Sequence, residues 1–443
     1  MILRLALTLA LLLPLPLGAA EVTVEPGPGA LQQAIAGAAP GDVLTLAPGI
    51  HPGAITIDRS LTLTGTGEAV IDGGGLGTVI TIAAPDVTVR GLTVTGSGHD
   101  GTVLDAGIKI LKGADRARIE GNRLLGNLHG IDVHGGRDAK VSGNAIEGTQ
   151  DPKMNERGNG IYVWNSPGAV IDGNSVRWGR DGIFANASRE NVFRNNIFRD
   201  LRFAVHYMYT NDSEVTGNVS IGNHLGFAIM FSNRVVVKDN LSLGDRSNGV
   251  MLNYANNGDV SGNLVRGGAE KCLFIYNAHK NLVYDNRFQD CGIGIHFTAG
   301  SERNVLTGNA FLGNQEQVKY VGTRHVEWSF EGRGNFWSDH PAFDLNGDGI
   351  ADGAFRPNDL MDHILWSQPA ARLLTGSPAV QLIRWSQSSF PAMLPGGVTD
   401  SHPLMQPLTI PVPDDLAADE AAVAGRWAKG TDDDFDLEDL GSH

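Results

Sequence analysis

The chain has 443 residues, 58 of them glycine and two of them cysteine, and a formal net charge of −15. An acidic chain is a poor partner for nucleic acid and for polyanionic substrates, unless a local basic cleft overrides the total. Beyond the first twenty residues, no stretch approaches the roughly 18 apolar residues that a membrane span needs.

Residues 1–20, MILRLALTLALLLPLPLGAA, carry Arg4, then an apolar run, then small residues. This is the pattern of a secretory signal peptide, cut between Ala20 and Glu21. The run is too short to span a bilayer. Its removal takes the charge to −16, since Arg4 is its one charged side chain, and places the mature protein in the periplasm. Residues 26–40 follow, with Leu31, Ala34, Ile35 and Ala38 at helical spacing. A short helix here would cover the open first coil of a repeat structure, whose strand edges are otherwise unpaired.

The middle of the chain repeats. A glycine-asparagine or similar step ends at Asn122, Asn144, Asn174, Asn195, Asn218, Asn240, Asn263, Asn286 and Asn309, about every 22 or 23 residues. Short apolar stretches such as GIKI, GIDV, GIYV and GFAIM precede these by about thirteen residues. Short strands at a fixed period predict a solenoid. The period and the alternation point to an all-β, right-handed parallel β-helix over 21–335, with the N-terminal helical cap. Its coils would run from about 42 to 335, about twelve or thirteen of them at this period. The gap of 30 between Asn144 and Asn174 predicts a protruding loop within Gly148–Gly160. The asparagines themselves read as structural, because asparagine tolerates tight turns and bonds nearby backbone.

Side chains alternate in and out along a strand. Ile108, Ile131, Ile161, Ile183, Val205, Phe227, Val250, Leu273 and Ile295 form an inward column. The residues between should face solvent. One such column reads Asp132, Tyr162, Phe184, His206, Ala228, Met251, Phe274 and His296; the next reads His134, Trp164, Asn186, Met208, Met230, Asn253, Tyr276 and Thr298. Aromatic, thioether and imidazole groups on an outward face mark an interaction surface. Met208 and Met230 should stack on adjacent strands, with Met251 diagonal and His206 on the same face. Thioethers with an imidazole suit Cu(I), with binding expected to weaken below about pH 6.5 as the histidine protonates. The alternative is an adaptable methionine face for protein docking.

Residues 336–409 begin with a Gly/Asp-rich loop. Asp344, Asn346, Asp348 and Asp352 supply oxygens at positions 1, 3, 5 and 9 of a calcium-loop pattern, with Gly349 at position 6. Position 12 is Phe355, so the bidentate glutamate is missing; a plain acidic turn is the alternative. Two helices are expected after Asn358 and Ser377, carrying Leu360, Ile364, Leu365, Leu373, Leu374, Leu382 and Trp385 as a docking surface. Residues 410–443, with ten acids and two bases, read as a disordered tail.

Enzymes on such a fold need paired carboxylates or a base on one face. Asp132 with His134, beside Tyr162 and Trp164, is the nearest candidate for a carbohydrate-active lyase or epimerase. No second carboxylate follows on that face, so no catalytic residue is assigned. Cys272 and Cys291 lie in successive coils; a disulfide and a pair of small core residues both fit.

The strings AVHYMYTNDSEVTGN (204–218), GFAIMFSNR (226–234) and DLNGDGIADGAFRPNDLMDHILW (344–366), with SPAVQLIRW and DSHPLM, resemble the NosD family. The resemblance runs from the signal peptide to about Pro407. It implies a β-helix peripheral to the membrane, docked on an ABC transporter made of NosF and NosY. It implies a part in assembling the copper centres of nitrous oxide reductase, by accepting copper from the chaperone NosL or by handling sulfur.

Overall fold

Strands of three to six residues, closed by glycine, asparagine and aspartate turns, bend the chain three times per coil. In the computed structural model, which describes residues 19–298, 300–358, 377–389 and 396–427, they stack into three parallel sheets of 13, 13 and 12 strands. Within each coil the chain meets the first, second and third sheet in turn. One coil, for example, is built from Arg118–Glu120, Arg123–Asn127 and His129–His134.

Register follows the apolar pattern. Ile131 pairs with Ile161, Ile183 with Val205 and Val205 with Phe227, and all are fully buried. A one-residue slip would turn this column outward, so the core itself fixes the register. The surplus residues of 148–160 loop out through a short 3-10 turn, Met154–Glu156, and Ile161–Trp164 then resumes pairing with Ile131–His134.

The asparagine column is a hydrogen-bonded ladder with one correction. The fourth member is Asn196, not Asn195. Asn174 Nδ2 donates to Asn196 Oδ1 at 2.9 Å, and Asn196 Nδ2 donates to Asn218 Oδ1 at 3.0 Å. Asn195 is exposed and left-handed, at φ 56°, and donates to Asp172. The Asn-Asn pair hides a uniform spacing of 22 on either side of residue 196.

Both ends are closed. The helix Ala30–Gly37 buries Leu31 and Ile35 over the first coil, and Arg59 donates to the carbonyls of Ala36 and Ala38 at its end. At the other end the ladder passes from Asn309 to Asn335. Asp400 then accepts from the Asn335 N–H at 2.7 Å and the Trp337 Nε1–H at 2.8 Å. Phe336–Trp337 still pairs with the solenoid, so the coils extend just past residue 335. Gly397–Thr399 pairs with His325–Glu327, which makes residues 397–404 part of the end cap.

Of the two expected C-terminal helices, Pro378–Ser389 is present, with Leu382 exposed. The helix expected after Asn358 falls outside the described residues, as do 1–18 of the expected signal peptide. The expectation of a disordered tail is corrected for its first half: Asp414–Trp427 is a helix packed on the second sheet. Its acidic composition concealed an amphipathic face. Cys272 and Cys291 form a disulfide, with Cα atoms 5.7 Å apart. Among the described residues, no helix is long and apolar enough to cross a membrane.

Candidate functional site

Three adjacent strands of the third sheet carry the candidate residues: Phe203–Met208, Leu225–Met230 and Asn248–Asn253. Register places His206 beside Ala228 and Ala228 beside Met251; it places Met208 beside Met230 and Met230 beside Asn253. The two thioether side chains therefore start from neighbouring backbone positions, with Met251 diagonal to Met230, as the columns predict.

The face is not the open one that alternation suggested. His206, Met230 and Met251 are 4%, 4% and 7% exposed, and Met208 is half-buried. Met230 and Met251 form one apolar cluster with Phe203, Leu225 and Ala228, against which Phe231 and Phe274 pack. Alternation sets the direction of a side chain but not what closes over it.

His206 is held on three sides. Phe184 stacks on its ring at 4.7 Å, and Phe203 meets it edge-on at 4.8 Å. Its Nδ1 lies 3.2 Å from Asp181 Oδ2. Asp181 is itself fully buried and gripped by Arg202 through Nε and Nη2, at 2.7 and 2.6 Å. Burial would push the Asp181 carboxyl up, but the Arg202 guanidinium, the His206 hydrogen bond and the charge of Arg180 together outweigh it and hold the group well below the usual carboxylate range. An ionised carboxylate only accepts, so Nδ1 carries the proton and Nε2 carries the lone pair. Nε2 is buried and has no hydrogen-bond partner. Burial lowers the His206 pKa, against the raising effect of Asp181, so the ring stays neutral. A carboxylate that fixes the tautomer of a histidine is the usual second layer of a metal site. Imidazole and thioether groups are donors that suit a soft monovalent ion such as Cu(I), and here they share one face of the sheet.

A family model described as periplasmic copper-binding protein NosD matches residues 142–342, which include His206 and all three methionines. Two curated relatives carry the name probable ABC transporter binding protein NosD. That of Stutzerimonas stutzeri is 41% identical over 372 residues, 81% of this chain and 85% of the relative. That of Pseudomonas aeruginosa is 41% identical over 375 residues, 82% and 88% of the two chains. The chain belongs to the NosD family.

Two solved structures are similar to the chain at low identity. A mannuronic-acid-specific polysaccharide family 6 lyase from human gut microbiota is 13% identical, with a TM-score of 0.49 over 70% of this chain and 87% of its own. The A-module of an Azotobacter vinelandii mannuronan C-5 epimerase is 15% identical, with a TM-score of 0.46 over 66% and 91%. Likeness at this level carries no argument about activity.

The carbohydrate candidate of this NosD-family chain lies on earlier coils of the same sheet, linked to His206 through the stacked rings of Tyr162 and Phe184. Asp132 is fully buried, with Lys109 Nζ at 3.2 Å and His134 Nδ1 at 3.6 Å. His134 stacks on Trp164 at 4.4 Å. Asp132 is thus neutralised by Lys109. The neighbours that follow it along the column are Tyr162 and Phe184, not a second carboxylate.

The calcium-loop residues use their oxygens on the loop itself. Asp344 accepts from Gly347 and Gly349 N–H at 2.6 and 2.8 Å, Asn346 from Asp348 N–H, Asp348 from Ile350 N–H, and Asp352 from Leu345 N–H. Among the described residues, no three of His, Cys, Asp or Glu are gathered as a metal-holding group.

Asp181 and Arg202 were missed in the sequence. They stand at or just before the first residue of their strands, outside the columns counted back from the asparagines. The signal available was DGIFA beside RFAVH, where a carboxylate and a guanidinium fall 21 residues apart, nearly one coil.

Proposed function

We propose that this chain is a periplasmic accessory protein that accepts Cu(I) and relays it during assembly of the copper centres of nitrous oxide reductase. It does so while docked on an ABC transporter formed by NosF and NosY, with the chaperone NosL as copper donor. The observation that carries the reading is His206 Nε2: a buried lone pair without a partner, on a ring fixed by Asp181, on the same face as Met208, Met230 and Met251. In this reading Nε2 and the thioethers receive copper as cargo, and the apolar cluster keeps water off it. Neutral ligands bind Cu(I) less tightly than a thiolate cage, as a relay requires. The exposed Leu382 on Pro378–Ser389 supports that helix as part of the docking segment.

Replacing His206 with phenylalanine tests this. The aromatic contacts to Phe184 and Phe203 survive, and Asp181 keeps Arg202. Cu(I) affinity in a competition assay is expected to fall about tenfold or more, which is about 1.4 kcal/mol, with the reductase under-loaded in copper. Unchanged affinity and a fully metallated reductase would place the cargo site elsewhere.

A structural calcium ion at Asp344, Asn346, Asp348 and Asp352 is a separate proposal, which the loop's own bonding does not require. A ligand bound only by the folded state raises its melting temperature. Millimolar calcium should therefore melt later than chelator; coincident curves would leave the four residues as turn formers.

A further inference from the structure

The outward face of the second sheet changes character over three coils. Away from them its outward positions include Arg123, Glu147, Arg177 and Gln289. Within them they are Val219, Ile221, Leu241, Leu243 and Leu264. Arg199 bounds this strip on one side and Arg266 on the other. Apolar residues on the outside of a coil need a cover, and Ile221, Leu243 and Leu264 are at most 1% exposed.

The cover is the helix Asp414–Trp427. Leu416 and Val423 complete the apolar cluster, two turns apart on one helical face, and Asp419 and Glu420 stand between them at i+3 and i+4. The carboxylates match the arginines. Arg199 Nε donates to Asp419 at 3.2 Å, and Arg266 Nε donates to Glu420 at 3.0 Å.

A second, independent observation comes from the turn after each strand of this sheet. The residue there is left-handed in successive coils: Trp178, Asp200, Gly222, Gly244, Gly267 and Asp290, with φ between 55° and 71°. Trp178, Asp200 and Asp290 show that the turn does not itself demand glycine. The three glycines come in a row, beneath the helix. A Cβ at Gly222 would lie 2.6 Å from Val423 Cγ1; at Gly244, 3.6 Å from the same atom; at Gly267, 3.6 Å from Glu420 Oε1. A Cβ at Gly244 or Gly267 would make ordinary contact with the helix, whereas one at Gly222 would collide with it, so Gly222 clears the seat.

We propose that this strip is a built docking site for an acidic amphipathic helix, and that its occupant is this chain's own segment 414–427. The seat lies on the coils that carry the candidate copper face. The strands Ile197–Arg199, Val219–Ile221 and Leu241–Leu243 lead directly into Phe203–Met208, Leu225–Met230 and Asn248–Asn253. The docked helix thus clamps those coils from the neighbouring sheet. A partner presenting an acidic amphipathic helix to this strip has to displace it.

The test uses the full chain and does not depend on copper. In the wild type, amides of 414–427 should be protected from hydrogen exchange. The charge reversal D419R/E420R should release the helix, and adding R199E/R266E should restore protection by re-forming both pairs. A labelled peptide of residues 410–427 should bind the released D419R/E420R chain at least about tenfold more tightly than the wild type, whose seat is filled. Exchange at the rate of an unstructured peptide in the wild type, no restoration in the fourfold variant, or equal peptide binding to both chains would each overturn the proposal.

Discussion

Cu(I) affinity is expected to drop by about a hundredfold or more when Met208 and Met230 are both replaced by leucine, since even outer-layer partners of a metal site are worth 10–100-fold. Leucine keeps nearly the same apolar volume, so a face that only packs or docks should tolerate the change at under about 1.5 kcal/mol. The two residues are register neighbours on adjacent strands, and Met230 lies in the buried apolar cluster. The double variant should therefore melt close to the wild type while losing copper, and the reductase should mature with less than its full load. A competition assay with a Cu(I) chelator reads the first effect and copper analysis of the reductase the second. Acidification separates the roles further. Neutral His206 is the ligand form, and burial lowers its pKa. Binding should thus persist as pH falls through 6.5 and fail only at lower pH, which revises the threshold expected from an unperturbed histidine.

The largest stability effect is expected inside the asparagine ladder. Asn196 is fully buried. Its Oδ1 accepts from the N–H and Nδ2 of Asn174, both at 2.9 Å, and its Nδ2 donates to Ile171 O and Asn218 Oδ1, both at 3.0 Å. Asn196→Ala strips four bonds and leaves polar groups of two neighbouring coils buried without partners. Each such group costs about 1–3 kcal/mol, and relaxation reduces the sum, so a loss of about 3–5 kcal/mol follows. Asn195→Ala should cost about 1 kcal/mol, chiefly because alanine is less at ease than asparagine in the left-handed region. Urea midpoints of the two variants compare adjacent residues in the same chain. Similar losses for both would mean that the ladder is not a continuous chain of bonds.

The solenoid was legible because its core repeats: an inward column from Ile108 to Ile295 can come only from strands stacked in register. The candidate face was legible in direction and in neighbours, since Met208 and Met230 fall at equal distances from their turns. Its burial was not legible, because Phe203 and Leu225 reach it from the strand starts. Asp181 and Arg202 escaped for the same reason. The tail was misread because ten acids among 34 residues outweighed a single helical stripe from Leu416 to Val423. A deletion that tests docking has to leave the end cap intact. Removing 376–408 would take away Asp400, which bonds Asn335 and Trp337 at the end of the core. A cut confined to 377–389 spares that cap and asks the docking question cleanly.

X-ray absorption at the copper edge, on the full chain loaded with one equivalent of Cu(I), tests the central claim most directly. A shell of thioether sulfur with one imidazole nitrogen is predicted, with the sulfur lost on replacing Met208, Met230 and Met251 together by leucine and the imidazole lost on replacing His206 by phenylalanine. A shell of oxygen and nitrogen alone, or a sulfur shell that survives the triple replacement, would contradict it.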